Sequence, residues 1–247
     1  CGAPLVIIYL QELFDNYIYD KDDIKAITEA PYIGELPTDE STSNFRLRKD
    51  SKTVMAEMFR LLRTNLNYLT GSREKDVFLI TSSISGEGKT FCSINIASVF
   101  ALSKKKTILL GLDLRKPKIF GDFDIKNDIG VVNYLIKDAS LEEVTQKTSI
   151  PNLDVITSGP VPPNPSELLM NEQMDQLMAV LKEKYDYIIL DSPPLGLVTD
   201  AIQLVKHSDA NIYVIRQNYT QKGMLSFINE KYQNGEVKNI SFVLNYF

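Results

Sequence analysis

The chain carries one histidine, two cysteines and no tryptophan in 247 residues. With His207 alone there is neither a histidine-based triad nor a His/Cys metal cluster, and Cys1 and Cys92 imply no disulfide framework. Positive charge is not in excess: the formal net charge is −5, which removes the basic footprint expected of a nucleic-acid binder. The one basic run, Lys104-Lys105-Lys106, closes a predicted helix, where cations complement exposed carbonyls. Long apolar runs are lacking too. The stretch Gly2 to Leu10, behind a Cys rather than a Met, is far too short to span a bilayer. It reads either as the cut end of a transmembrane helix entering a cytoplasmic tail or as a buried helix start, so residues 1–20 are expected to form a membrane-proximal tail or the remnant of such a helix. The remainder is long enough for one large α/β domain with a sizeable core.

What is present is a phosphate-binding signature. Ser82-Ser83-Ile84-Ser85-Gly86-Glu87-Gly88-Lys89-Thr90 follows the apolar run Val77 to Ile80 and precedes a helical pattern from Cys92 to Leu102. Two glycines let backbone N–H groups turn inward around a polyphosphate, the following helix presents its positive end, Lys89 adds a point charge, and the Thr90 hydroxyl reaches a Mg²⁺. The common motif has glycine six residues before the lysine, where Ser83 stands here, so the loop alone also reads as a polar strand-to-helix turn. Two further runs, Thr107 to Arg115 and Tyr187 to Pro194, end in Asp113 and Asp191. A loop hydroxyl plus one or two carboxylates from neighbouring strand ends is adequate protein ligation for Mg²⁺. Either aspartate by itself is an ordinary turn residue; with the loop they make a nucleoside-triphosphate and magnesium site.

Strands alternate with helices along the rest of the chain. Strands are predicted at Val77–Thr81, Thr107–Leu112, Leu153–Thr157, Tyr187–Asp191, Ala210–Arg216 and Ile240–Asn245. Helices are predicted at Thr90–Leu102, near Val131–Ile136, Pro165–Lys184, near Ala201–Lys206 and Gln221–Tyr232. Upstream, a short helix at Asp22–Ala30, an extended Tyr32–Pro37, a polar linker from Thr38 to Ser51 and an amphipathic helix at Val54–Leu69 complete the pattern. This is a doubly wound α/β fold of the P-loop NTPase kind, a mostly parallel sheet with helices on both faces and ligands at the carboxyl ends of its strands.

The chain closely resembles the bacterial tyrosine kinases, the cytoplasmic domains of the polysaccharide co-polymerases that control capsule and exopolysaccharide export. The resemblance is carried by Gly86 to Thr90, Asp113-Leu114-Arg115-Lys116-Pro117, Asp191-Ser192-Pro193-Pro194, Pro163 to Leu169, Val198-Thr199-Asp200-Ala201 and the helix Glu57 to Leu66. It implies that residues 21–247 are an ATP-dependent kinase domain at the cytoplasmic face of the bacterial inner membrane. Ser85, Gly86, Glu87, Gly88, Lys89, Thr90 and Phe91 would hold the nucleotide, with Arg216 and Asn245 at the base. Thr90, Asp113 and Asp191 would organise Mg²⁺, with Lys89, Asp113 and Asp191 catalytic and Asp113 orienting or deprotonating the attacking tyrosine. Glu57, Arg60 and Arg63 match the motif through which subunits form a ring and offer a tyrosine-rich tail to the neighbour's site; read without the resemblance, Glu57 and Arg60 are an intrahelical pair on a solvated face. The implied partners are further copies of the chain, that tail, and a transmembrane activator segment, fused or separate, with no nucleic acid.

The sequence departs from the family at two places. Gly111 stands where the second motif usually has its first aspartate, and Ser85 where proline often precedes the loop glycine. Two rival readings follow: a partitioning-type P-loop ATPase, whose signature lysine falls at Ile84 here, and a catalytically silent ATP-binding assembly module, which Gly111 keeps open.

Overall fold

The computed structural model describes residues 16–38, 47, 51–71, 73, 75–119, 123, 125–195 and 200–246. The first fifteen residues, most of the predicted 38–51 linker, and Val198 and Thr199 lie outside the described residues. The elements are, in order, α1 (Lys21–Ile27), β1 (Tyr32–Leu36), α2 (Val54–Leu69), β2 (Asp76–Ser82), α3 (Lys89–Leu102), β3 (Thr107–Gly111), α4 (Val131–Leu135), α5 (Leu141–Val144) and β4 (Gln146–Lys147). There follow β5 (Leu153–Ile156), α6 (Pro165–Leu169), α7 (Glu172–Lys184), β6 (Tyr187–Asp191), α8 (Asp200–Leu204), β7 (Ala210–Arg216), α9 (Lys222–Gln233) and β8 (Ile240–Asn245).

Among the described residues the strands form one eight-stranded sheet in the order β1-β8-β7-β2-β6-β3-β5-β4. Every pairing is parallel except β4 with β5. Parallel strands are covered on both faces, so they read as continuous apolar runs rather than alternating ones. The pleat still sorts their side chains. On β2 and β6, Phe78, Ile80, Tyr187 and Ile189 face the layer of α2 and α3, whereas Val77, Leu79, Ile188 and Leu190 face the layer of α4, α6 and α7. Across the other half, Tyr213, Ile215, Phe242 and Leu244 pack under α1 and α9. Ile18, within the segment expected to be a tail, is fully buried in that cluster, and its N–H donates to Thr220 O at 2.9 Å.

α3 is buried without interruption from Cys92 to Ala101. It lies between the sheet and α2, which explains why its sequence shows no polar face. Phe100 stacks on Tyr187 with ring centroids 4.1 Å apart and on Phe78 at 5.4 Å, seating the helix on the sheet. α2 is amphipathic as predicted and buries Met55, Phe59, Leu62 and Leu66. One predicted element is divided. In place of a single helix Pro165–Lys184 the chain makes α6 and α7, because the Asn171 side chain accepts from Met174 N–H at 3.1 Å and caps a new helix start. The short α5 and β4 were not expected; neither is long enough to show a periodicity.

Candidate active site

The site is built where β2, β6 and β3 end. Asp191, the last residue of β6, is in register with Ile80 of β2 on one side and Gly111 of β3 on the other. The loop Ser83–Gly88 leaves β2 and hands the chain to α3. Gly86 and Gly88 have φ of 97° and 94°, the left-handed region that L side chains rarely adopt. At Gly88 a Cβ would also lie 2.3 Å from Asn245 Nδ2. Ser83, at the place of the motif's usual first glycine, is not among the residues with positive φ. It therefore needs no glycine, and its buried hydroxyl accepts from Tyr213 OH at 2.8 Å.

Lys89, Thr90, Asp113 and Asp191 converge as the sequence predicted. Lys89 Nζ donates to Asp113 Oδ2 at 3.0 Å, and the other Asp113 oxygen accepts Lys116 N–H at 3.1 Å. Thr90 Oγ1 donates to Asp191 Oδ2 at 2.9 Å, while Ser93 Oγ donates to Oδ1 at 3.0 Å. Ser93 was missed by the sequence reading, although four residues after Lys89 it lies on the same helix face. Burial pushes the Asp191 carboxyl above its ordinary range, against the pull of Lys89, Thr90 and Ser93. Burial likewise disfavours the Lys89 ammonium, yet Asp191 and Asp113 outweigh it and raise Lys89. The result is a buried cluster of one cation and two carboxylates, in which the reduced solvent exposure strengthens each interaction.

Of the remaining predicted nucleotide residues, Glu87, Arg216 and Asn245 hold the loop itself. Glu87 is fully buried behind it, accepting Ile84 N–H at 2.8 Å and the Thr220 hydroxyl, and burial raises its carboxyl pKa. Arg216 Nη1 donates to Gly86 O at 2.9 Å, and Asn245 Nδ2 to Glu87 O at 3.0 Å. Asn245 Oδ1 is buried and has no partner among the described residues. The Phe91 ring meets Phe59 of α2 edge-on at 5.7 Å. Tyr219, not singled out from the sequence, donates its hydroxyl to Ser85 O at 3.0 Å.

Gly111 has a packing explanation. A Cβ there would stand 3.0 Å from Ser158 Oγ and 3.2 Å from Ser158 N, and Ser158 Oγ donates to Gly111 O at 2.8 Å. A serine therefore closes the space into which an aspartate side chain would start. On α2, Glu57 and Arg60 form the intrahelical ion pair, and Arg60 also reaches Ser51 O at 2.8 Å. Arg63 turns instead toward α3, donating to Val99 O at 3.3 Å.

A glycine-turned loop at a strand-to-helix corner, with its lysine and hydroxyl on two strand-end acids, defines a P-loop nucleotide-binding domain. Residues 76–242 match the family model described as an AAA domain. Over 196 residues the chain is 35% identical to the tyrosine-protein kinase YwqD of Bacillus subtilis, covering 79% of this chain and 83% of that protein. It is also 35% identical to CpsD, a tyrosine-protein kinase of Streptococcus agalactiae serotype III, over 81% of this chain and 85% of the relative. The chain belongs to the bacterial tyrosine-protein kinases. It spans only 26% of the longer Escherichia coli relative etk, at 33% identity, and superimposes on the solved kinase domain of that enzyme with a TM-score of 0.83, 28% identity and coverage of 92% and 94% of the two chains. The MinD structure from Pyrococcus horikoshii, at 21% identity and a TM-score of 0.59, shares the fold.

Proposed function

We propose that this domain transfers the γ-phosphoryl group of ATP to tyrosine hydroxyls, with Mg²⁺, in the control of capsular or exopolysaccharide synthesis and export. The observation that carries this reading is the convergence of Lys89 with Asp113 and of Thr90 with Asp191 at adjoining strand ends. The donor set suits magnesium. Thr90 and Asp191 offer hard oxygen ligands 2.9 Å apart, and among the described residues no group of three or more His, Cys, Asp or Glu side chains would hold an ion unaided. Mg²⁺ is ordinarily held in this way, by one or two carboxylates together with substrate phosphates; once bound it would neutralise developing phosphate charge.

The chain's own residues do the rest. Loop amides and Lys89 grip the β- and γ-phosphates, Ser93 fixes the rotamer of Asp191, and Asp113 orients the attacking phenol and accepts its proton, which a group of pKa near 10 must lose during attack. Asn245 Oδ1, without a partner among the described residues, is the acceptor offered to the base. The self-association we assign to Glu57, Arg60 and Arg63 would bring a neighbour's tyrosine-rich tail to this site, beside a transmembrane activator segment, fused or separate, at the cytoplasmic face of the inner membrane. No helix among the described residues is long and apolar enough to cross a membrane. Mg-ATP affinity and transfer to an added tyrosine-tail peptide, measured beside Lys89→Met, test the reading: loss of both in the variant supports it, and equal behaviour overturns it. ATP binding without transfer would favour the silent assembly module.

A further inference from the structure

Three consecutive carbonyls of the phosphate loop each accept a side-chain donor from the neighbouring half of the sheet, on the β7 and β8 side of β2. Ser85 O takes the Tyr219 hydroxyl at 3.0 Å, Gly86 O takes Arg216 Nη1 at 2.9 Å, and Glu87 O takes Asn245 Nδ2 at 3.0 Å. Arg216 ends β7, Tyr219 lies in the turn before α9, and Asn245 ends β8. The set is braced from behind. The Arg216 guanidinium lies 4.9 Å from the Tyr219 ring centroid, and Thr220, whose hydroxyl accepts Arg216 N–H at 2.9 Å, donates to the buried Glu87 carboxylate.

In a planar trans peptide the C=O of one residue and the N–H of the next point in opposite directions. Holding the carbonyls of Ser85, Gly86 and Glu87 back against the sheet therefore turns the amides of Gly86, Glu87 and Gly88 the other way. Among the described residues the Gly86 and Gly88 amides have no protein acceptor, and the Glu87 amide only closes the turn through Ser85 and Gly86. Successive N–H groups freed in this manner form an anion-binding concavity, and one set before the anion arrives spares it the ordering cost.

We infer that Tyr219, Arg216 and Asn245 are positioning residues that pre-set the phosphate loop from its carbonyl side, so that Arg216 and Tyr219 act on the polyphosphate through the backbone rather than on the base. This rests on the nucleotide-binding reading above and deepens it.

Tyr219→Phe and Arg216→Met test it, since both positions are partly exposed and neither side chain fills the core. From the net worth of a neutral and of a charge-assisted hydrogen bond, Mg-ADP affinity falls roughly 3- to 10-fold in Tyr219→Phe and roughly 10- to 100-fold in Arg216→Met. The preference for ADP over GDP is unchanged in both. In the nucleotide-free protein, NMR order parameters of the Gly86, Glu87 and Gly88 amides drop in each variant. Wild-type affinity with wild-type order parameters overturns the inference, and so does a lost ADP-over-GDP preference with rigid amides, which would put these side chains on the base. If the wild-type protein takes up no nucleotide, the kinase reading fails, while the nucleotide-free amide measurement still decides whether the carbonyl contacts set the loop.

Discussion

Lys89 Nζ and Asp113 Oδ2 sit 3.0 Å apart, with 9% and 11% of their side chains exposed. The cation of the loop is thus committed to the proposed proton acceptor, and both have been taken out of water. Removing one member of a buried, hydrogen-bonded charge cluster leaves the other uncompensated. Lys89→Met is expected to abolish nucleotide binding and also to lower unfolding stability by about 1–3 kcal/mol. Urea titration beside ATP calorimetry checks both, and unchanged stability would show that the pair contributes nothing to the fold.

The two acids should separate kinetically. Asp113→Asn is expected to slow tyrosine phosphorylation by about 10²- to 10⁴-fold, the usual range for losing a general base, with Mg-ATP affinity nearly preserved. Asp191→Asn should instead erase the magnesium dependence of nucleotide affinity, because its carboxylate lies on the Thr90 hydroxyl. Steady-state kinetics with a tyrosine peptide and binding with and without Mg²⁺ distinguish them; equal loss in both measurements for both variants would refute the division of labour.

Restoring the missing carboxylate should not be free. Gly111→Asp places its Cβ against Ser158 Oγ, and overpacking of this kind costs about 1–3 kcal/mol. In a Ser158→Ala background the same change is expected to cost less, a coupling that a double-mutant cycle of thermal or urea unfolding measures directly. Additive effects would mean that the Ser158 hydroxyl is not what closes that space.

A pH signature comes from Asp76 at the start of β2. Burial raises its pKa above the ordinary 3.8; the Thr70 hydroxyl opposes this and Asp209 adds to it, while Oδ1 has no partner among the described residues. A carboxyl whose folded pKa is raised favours the fold fully below its unfolded pKa, and that contribution is lost as pH rises through the folded value. Asp76→Asn should therefore gain on the wild type as pH climbs above about 4. A pH-independent difference in unfolding free energy would contradict this.

On α2 the charges are expected to carry both stability and assembly. Glu57 and Arg60 pair at the surface and Arg60 also donates to Ser51 O, so replacing both with alanine should lower monomer stability by about 1 kcal/mol. If the proposed ring forms through them, light scattering will show it dissociate in that double variant. Arg63→Ala should lose stability as well as assembly, because Arg63 reaches Val99 O. Retention of the oligomer in both variants would remove this helix from the interface.

The alternation of apolar strand runs with helical spacing was enough to read the parallel α/β sheet, and the loop with its two strand-end aspartates was enough to name Lys89, Thr90, Asp113 and Asp191, which the structure brings together. These features are local. Backbone periodicity, glycine conformational freedom and strand-end position are all properties of short segments. The division of the helix at Asn171 was not legible, since an asparagine within an apolar period signals a cap only when its side chain is seen to accept Met174 N–H. Nor was Ser93 singled out, although its spacing from Lys89 would have allowed it.

What the amino-acid order determined by itself was therefore the chemistry available: a loop able to expose amides, one lysine, one hydroxyl and two acids at the right ends of strands. Only the tertiary structure decided how that loop is held, because Tyr219, Arg216 and Asn245 lie between 134 and 158 residues from the carbonyls of Ser85 and Glu87, or 130 for Gly86. Contacts over such separations have no periodic trace in sequence and exist only once the sheet order sets β7 beside β2 and β8 beside β7.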